Sequence, residues 1–209
     1  MSAGNYKLNE GLLAKMTAKP MEGISENLLK QHFDLYKGYV TNANNLLKEL
    51  SSGAHTGQAA VDRRRRLGFE VNGVIMHELF FENLSPENTT PGDQVKAFFS
   101  KYYGSWEKFI AELENAGGTR GVGWVAVMFD KLTDTLTTTW VEEHHLGMLA
   151  NMEPLLLVDC WEHAFIVDFG STGRGNYVKT LLKHIDWEVV CKRIVSAEGN
   201  LQVVRCVQK

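Results

Sequence analysis

The fold is decided by the stretch Leu155-Leu156-Leu157-Val158-Asp159-Cys160-Trp161-Glu162-His163. Its four apolar residues predict a buried strand that ends at Asp159. His163 follows four residues later, so that a carboxylate and an imidazole can converge. Both groups are rarely buried unless they are paired or bound to a metal, because desolvating them costs several kcal/mol. The stretch therefore predicts a compensating partner, and a metal ion is the natural candidate.

Two histidines upstream lie on predicted helices. Ser25 is a suitable N-cap for the first helix, in which apolar residues recur every three or four positions and His32 shares the apolar face. A second helical pattern runs from about residue 59 to residue 82, and its apolar side carries His77. Two consecutive long helices predict an antiparallel hairpin.

Each of these residues also has an ordinary interpretation. A histidine on an apolar helical face is more often a hydrogen-bonded core residue than a ligand. Asp159 and His163 alone would predict a structural salt bridge. Four such residues in one chain favour a metal site, because three imidazoles and one carboxylate suit a mid-row transition metal. Zinc accepts the same ligands, so their types do not identify the ion.

The chain divides at a polar linker, residues 83–93, which holds two prolines. It predicts an N-terminal domain of residues 1–90 and a C-terminal domain of residues 91–209, with residues 1–24 irregular. The C-terminal segments predict two short helices, then three strands, then two closing helices. Their approximate ranges are 94–103 and 106–115, then 121–129, 136–141 and 155–159, then 177–184 and 187–195.

Composition limits the function classes. The 209 residues carry a formal net charge of −3, which argues against a dedicated nucleic-acid binder. The run Arg63–Arg66 predicts a solvated face or intramolecular salt bridges. Because no stretch suits a signal peptide or a bilayer span, we expect no membrane partner. Three cysteines are too few for a disulfide framework, and we expect Cys160 to be buried and inert and the protein to be cytoplasmic.

The chain resembles the iron/manganese superoxide dismutase family over about residues 20–195. The likeness rests on four segments: Gln31–Asn42, Met76–Pro86, Gly121–Trp124 and Pro154–Phe165. The resemblance implies an α+β fold in which an N-terminal antiparallel helical hairpin precedes a C-terminal lobe with a three-stranded antiparallel sheet and surrounding helices. It also implies one iron or manganese ion per subunit, held by His32, His77, Asp159 and His163 with solvent in a fifth position. The implied substrate is superoxide, which is converted to oxygen and hydrogen peroxide.

The resemblance also implies roles around the ion. Tyr39 is similar to a tyrosine that hydrogen-bonds towards the substrate channel, and His144 stands where some relatives place a solvent-contacting histidine. Trp124, Trp161 and Phe81 match residues that form the apolar wall of the metal site in the family. Glu162 is similar to a glutamate that bridges to the neighbouring subunit, which implies a homodimer or a tetramer.

Three departures from the family pattern stand near the implied site. The first helix is one residue shorter before Tyr39, so the usual gateway histidine is missing and Tyr36 is expected to fill part of its space. Ile166 stands where the family has a tyrosine, and Gly73 where many iron enzymes have a glutamine. These departures leave open an alternative: a dismutase-like scaffold that binds a metal or a protein partner without turnover.

Overall fold

The computed structural model describes residues 5–198 and the backbone of residues 207–208. The helices are α1 (Glu10–Met16), α2 (Glu26–Ser52), α3 (Gly57–Glu82), α4 (Asp93–Tyr103), α5 (Trp106–Gly117), α6 (Ile166–Phe169), α7 (Arg174–Leu181) and α8 (Trp187–Ala197). The strands are β1 (Thr90–Pro91), β2 (Gly123–Asp130), β3 (Thr135–Glu142), β4 (Glu153–Asp159) and β5 (Val207–Gln208). Short 3-10 turns cover Glu162–Ala164 and Leu182–His184.

The long helices α2 and α3 form the predicted hairpin. The α2 helix begins as its sequence predicts, since the Ser25 hydroxyl accepts a hydrogen bond from the Leu28 backbone N–H at 3.1 Å. It ends at Gly53, whose φ of 68° is the left-handed conformation that glycine adopts without strain. Asp168 accepts hydrogen bonds from both the backbone N–H and the hydroxyl of Ser25, which ties the start of α2 to α6.

The predicted three-stranded antiparallel sheet is confirmed, with the strand order β3-β2-β4. The central strand β2 is buried along nearly its whole length. On the outer edge of β4, the Asn83 side chain donates to Leu157 O and accepts from Leu157 N–H, both at 3.3 Å. An amide side chain thus takes the place of a neighbouring strand and leaves no open edge at that point.

One interlobe contact fastens the hairpin to this sheet. Arg193 on α8 donates to Leu79 O and the Glu82 carboxylate of α3, and also to Asn83 Oδ1 and Leu155 O of β4. The side chain is only 13% exposed. The C-terminal end of α3 and the strand that carries Asp159 are therefore held by one guanidinium.

The prediction that residues 1–24 are irregular is wrong for α1. Its seven residues are too few to be stable as an isolated helix, but Leu12 and Met16, one turn apart, are buried where α1 packs against α2 and α3. The strand β1 was also not predicted; it pairs with β5. The segment Leu201–Val204, to which no role was assigned, lies outside the described residues. Among those described, no helix has the length and apolar character needed to cross a bilayer.

Candidate metal centre

Four side chains from the two lobes converge on one point. His32 lies on α2, His77 on α3, Asp159 at the end of β4 and His163 in the following 3-10 turn. One ligand atom from each lies within 4.8 Å of all the others. Asp159 Oδ2 is 3.0 Å from Nε2 of both His32 and His163 and 3.7 Å from Nε2 of His77. The four residues predicted as ligands are therefore brought together in one cluster.

The strand-and-turn half of the cluster is fixed locally. Asp159 lies opposite Trp124 on β2, where the sheet ends. Its Oδ1 accepts a hydrogen bond from the Trp161 backbone N–H at 2.9 Å, which turns the chain immediately after the strand. The turn brings His163 back to the other carboxylate oxygen, Oδ2.

The hairpin half depends on packing between helices. His32 and His77 are both buried, and their rings meet edge to face with centroids 5.1 Å apart. His77 Nδ1 lies 2.6 Å from Gly73 O, and since a carbonyl can only accept, Nδ1 must be the donor. The neutral ring then presents an unprotonated Nε2 to the cluster.

The cluster fits a transition-metal ion. His77 Nε2 is buried and has no hydrogen-bond partner among the described residues. Such an unsatisfied atom costs about 1–3 kcal/mol, a cost that coordination would remove. Three imidazole nitrogens and one carboxylate oxygen also form a donor set that mid-row transition metals accept.

The charge states suit coordination as well. Burial lowers the pKa of His32 and lowers that of His77 further, so both rings are neutral at pH 7. Burial by itself would raise the pKa of Asp159, but the neighbouring His163 and the hydrogen bonds with His163 and His32 hold it well below its usual range. Neutral imidazoles and an ionised carboxylate are the forms that bind metals.

A hydrogen-bonded chain lies beside the ligands. The Trp124 indole N–H donates to His144 Nδ1 at 3.0 Å, and His144 Nε2 is 2.8 Å from the Tyr39 hydroxyl. Because an indole nitrogen can only donate, neutral His144 carries its proton on Nε2 and donates it to Tyr39. Burial lowers the pKa of His144 to about 4 and raises that of Tyr39, with the charge of Asp159 raising the latter further. At neutral pH the His144 ring is therefore neutral, with its one proton on Nε2, and Tyr39 keeps its hydroxyl proton.

Gly73 makes room for Tyr39. A Cβ atom built on Gly73 would lie 2.5 Å from Tyr39 Cδ1, closer than side chains approach. Any larger residue at this position would displace the Tyr39 ring from His144. The absence of a side chain at position 73, read from the sequence only as a departure, is thus what lets Tyr39 reach its hydrogen-bond partner.

The other residues singled out from the sequence fall into two groups. Trp124 and Phe81 are fully buried against His77, and Trp161 stacks on His144 and His163 with centroids 5.0 Å and 5.5 Å apart. Tyr36 is also buried, but its hydroxyl donates to Glu78 at 2.5 Å and accepts from the Asn9 backbone N–H at 3.1 Å. Tyr36 therefore anchors the N-terminal segment to α3.

Sequence reasoning missed two residues that contact the hydrogen-bonded series Trp124–His144–Tyr39. The Phe69 ring lies 4.5 Å from the His144 ring and 5.9 Å from the Tyr39 ring, centroid to centroid. Asn72 donates from Nδ2 to His144 O at 2.9 Å and so holds the loop that carries His144. Phe69 and Asn72 stand eight and five residues before His77, so the sequence could place them on the same predicted helix. It gave no sign of their contact with His144, which lies 72 residues after Asn72.

Comparisons with known proteins agree with this geometry. Residues 17–85 match the alpha-hairpin domain of iron/manganese superoxide dismutases, and residues 91–193 match their C-terminal domain. A superoxide dismutase [Mn/Fe] of Aeropyrum pernix is 35% identical over 185 residues, which cover 85% of this chain and 86% of the relative.

Two further relatives carry different metals in their names. A superoxide dismutase [Fe] of Pyrobaculum aerophilum is 32% identical and covers 83% of this chain and 85% of the relative. A superoxide dismutase [Mn] 2 of Haloferax volcanii is 30% identical and covers 83% of this chain and 88% of its own. With its two domain matches, its helical hairpin and antiparallel sheet, and a cluster of three histidines and one aspartate between them, the chain belongs to the iron/manganese superoxide dismutase family.

Proposed function

We propose that this chain converts two superoxide anions and two protons into oxygen and hydrogen peroxide at one iron or manganese ion. The ligands are His32, His77, Asp159 and His163. The observation that carries the proposal is the convergence of their donor atoms within 4.8 Å, with His77 Nε2 left without a partner among the described residues. When bound, the ion supplies the redox chemistry, accepting an electron from one superoxide and passing it to the next.

The protein supplies one negative charge beside the ion and apolar walls that exclude water. Asp159 would offset one unit of the ion's charge, since histidine binds metals as the neutral ring, so that a filled site would keep a positive charge that attracts a small anion. Trp124 and Phe81 are fully buried beside His77, and Trp161 covers the His144 and His163 rings. The apolar walls weaken screening and strengthen that attraction.

Tyr39 and His144 are proposed to deliver protons and to tune the site. Support comes from the order of donors: Trp124 donates to His144, and His144 donates to the Tyr39 oxygen. The hydroxyl proton of Tyr39 is then free to be donated towards the anion or towards solvent beside the ion. Because both ring nitrogens of His144 are engaged by Trp124 and Tyr39, we propose that the role expected for His144 at that solvent is carried by the Tyr39 hydroxyl.

The test is a comparison of the same preparation with and without metal. Protein loaded with iron or with manganese should consume superoxide, and the stripped protein should not. Elemental analysis of protein produced without metal bias identifies the native ion. If the protein binds metal fully yet leaves superoxide untouched, the scaffold without turnover is the better description.

We further propose a homodimer, or a tetramer built from it, with Glu162 at the interface. The Glu162 side chain is exposed and has no ion-pair partner among residues 5–198. Four and five residues further along the chain, the apolar side chains of Ile166 and Val167 are 44% and 39% exposed. Light scattering should give a multiple of 23.5 kDa, and Glu162→Arg should shift the protein towards monomer. A monomeric wild-type protein would exclude this assembly.

We propose a cytoplasmic location from the low cysteine content. Cys160 is free and buried, and burial raises the pKa of its thiol to about 12, which makes it unreactive. Cys191 is disulfide-bonded, a state that is more common in oxidising compartments. Cell fractionation, combined with a thiol count on rapidly alkylated protein, decides between a cytoplasmic location and an oxidising compartment.

A further inference from the structure

The arginine run reaches the metal centre at one position. The Arg66 guanidinium carbon lies 3.9 Å from the centre of the Phe69 ring. The Phe69 ring in turn contacts His144 and Tyr39. The Arg66 side chain is 55% exposed, whereas Phe69 is buried. Arg66 is therefore the exposed end of a series of side chains that leads inward to the ligands.

A buried carboxylate fixes Arg66 in this place. Glu70 is only 3% exposed, and its Oε1 accepts a hydrogen bond from Arg66 Nε at 2.7 Å. The contact uses Nε alone, so the Nη groups of Arg66 have no hydrogen-bond partner among the described residues. An arginine held by Nε and by a ring face presents its Nη groups in a set direction.

The other arginines of the run differ. Arg63 is engaged by Glu49 at 2.5 Å and by Ala59 O at the far end of the hairpin. Arg64 and Arg65 are exposed and make no ion pair within residues 5–198. The expectation of a solvated face or intramolecular salt bridges is thus confirmed, but only Arg66 touches a ring that borders Tyr39 and His144.

We infer that Arg66 guides the anionic substrate to the metal centre, past Phe69 and Tyr39, and that Glu70 is the residue that positions it. This inference rests on the proposed function, since it assigns a route for superoxide. Because the Glu70 carboxylate is buried, an anion that approaches this side meets the half-exposed guanidinium of the pair first. A cation beside apolar walls raises the local concentration of a small anion.

Both charges lie within electrostatic reach of the site. The guanidinium of Arg66 covers the Phe69 ring, and that ring contacts both Tyr39 and His144. Because Arg66 is half exposed, salt screens its field, and the effect on association should fade as the Debye length falls from about 30 Å at 0.01 M to about 3 Å at 1 M ionic strength.

The experiment compares Arg66→Gln with Arg64→Gln in metal-loaded protein. Both variants remove one charge from the same helix, but only the first removes the proposed guide. At an ionic strength of about 0.01 M, Arg66→Gln should lower kcat/KM for superoxide about threefold to tenfold, and the difference should largely vanish at about 1 M. Arg64→Gln should stay within about twofold of wild type at both. Glu70→Gln removes the negative charge but keeps an Oε1 acceptor for Arg66 Nε, so Arg66 stays positioned and kcat/KM at low salt should not fall.

A binding measurement supplies a readout that is independent of turnover. Azide, a small monoanion, should associate more slowly with loaded Arg66→Gln protein than with loaded Arg64→Gln protein in stopped-flow absorbance, at equal metal content. Equal azide rates and equal salt dependence in the two variants would overturn the inference and place the entry route elsewhere, for example past the partly exposed His163. Loss of turnover in wild-type protein would instead refute the proposed function.

Discussion

The two halves of the metal centre are built by different physics. Asp159 and His163 are four residues apart, and a single hydrogen bond from the Trp161 backbone sets the turn between them. His32 and His77 are 45 residues apart by their numbering and meet only because α2 packs against α3. The first pair is thus a local device and the second a product of tertiary packing. Damage to the fold should therefore disable the hairpin half first.

The largest effect is expected at the ligand whose position depends most on packing. His77→Ala should abolish metal binding and superoxide turnover, because it removes a fully buried nitrogen and leaves a cavity beside Trp124. Elemental analysis and a superoxide-consumption assay measure both. His55→Ala, at the opposite end of the hairpin, is the matched control and should keep both. A His77 variant that retains metal and activity would remove this residue from the site.

The next largest effect is expected at Arg193, which joins α3 to the strand that carries Asp159. Arg193→Met should lower the free energy of unfolding by about 2–4 kcal/mol, because it removes the mostly buried guanidinium that donates to Leu79 O, Leu155 O and the Glu82 carboxylate. Thermal denaturation should show a fall in Tm of about 5–10 °C. Lys192→Met removes a neighbouring exposed cation whose ion-pair partner among the described residues is Glu188, and its Tm should barely change. Equal effects of the two substitutions would mean that Arg193 does not join the lobes.

His144 separates metal binding from turnover. His144→Ala should keep the metal but lower turnover about tenfold to a hundredfold, since Tyr39 loses its donor and Trp124 its acceptor. The midpoint potential of the ion should shift as well. His145→Ala changes the adjacent residue, which lacks these contacts, and should leave both quantities near wild type. Unchanged turnover and potential in the His144 variant would contradict the role proposed for it.

The smallest effect concerns the two tyrosines of α2. Tyr36→Phe should cost about 1–2 kcal/mol of stability, because the Glu78 and Asn9 contacts are lost, while turnover per metal ion stays the same. Tyr39→Phe should instead lower turnover per metal ion, at a similar cost in stability because the buried His144 Nε2–H loses its acceptor. Urea denaturation and the superoxide assay together measure the contrast. If Tyr36→Phe lowers turnover more than Tyr39→Phe, the assignment of the two tyrosines is wrong.

Much of the fold could be predicted because its periodic patterns are long. Ser25 and the apolar spacing that follows it mark the start and the buried face of α2, and the apolar run before Asp159 marks β4. The helix α1 was missed because seven residues with two buried side chains carry too little periodic signal. The boundary between domains at residues 90 and 91 stays a prediction.

Prediction of the site was uneven for a related reason. The four ligands could be named because acids and imidazoles on apolar faces stand out, and because the segments around them resemble a known family. Phe69, Asn72 and Glu70 could not be assigned, since aromatic, amide and acidic residues on a helix have many ordinary roles. Their importance comes from what lies across from them: His144 for two of them and Arg66 for the third.

The sequence by itself determined the residue types, the helical and strand periods, and the local turn from Asp159 to His163, because these depend on interactions between near neighbours in the chain. Only the tertiary structure decided which nitrogen of His77 faces the cluster, that Gly73 makes space for Tyr39, and that Arg66 lies on Phe69. Those outcomes depend on distances between segments far apart in the sequence, and such distances are fixed only when the lobes pack.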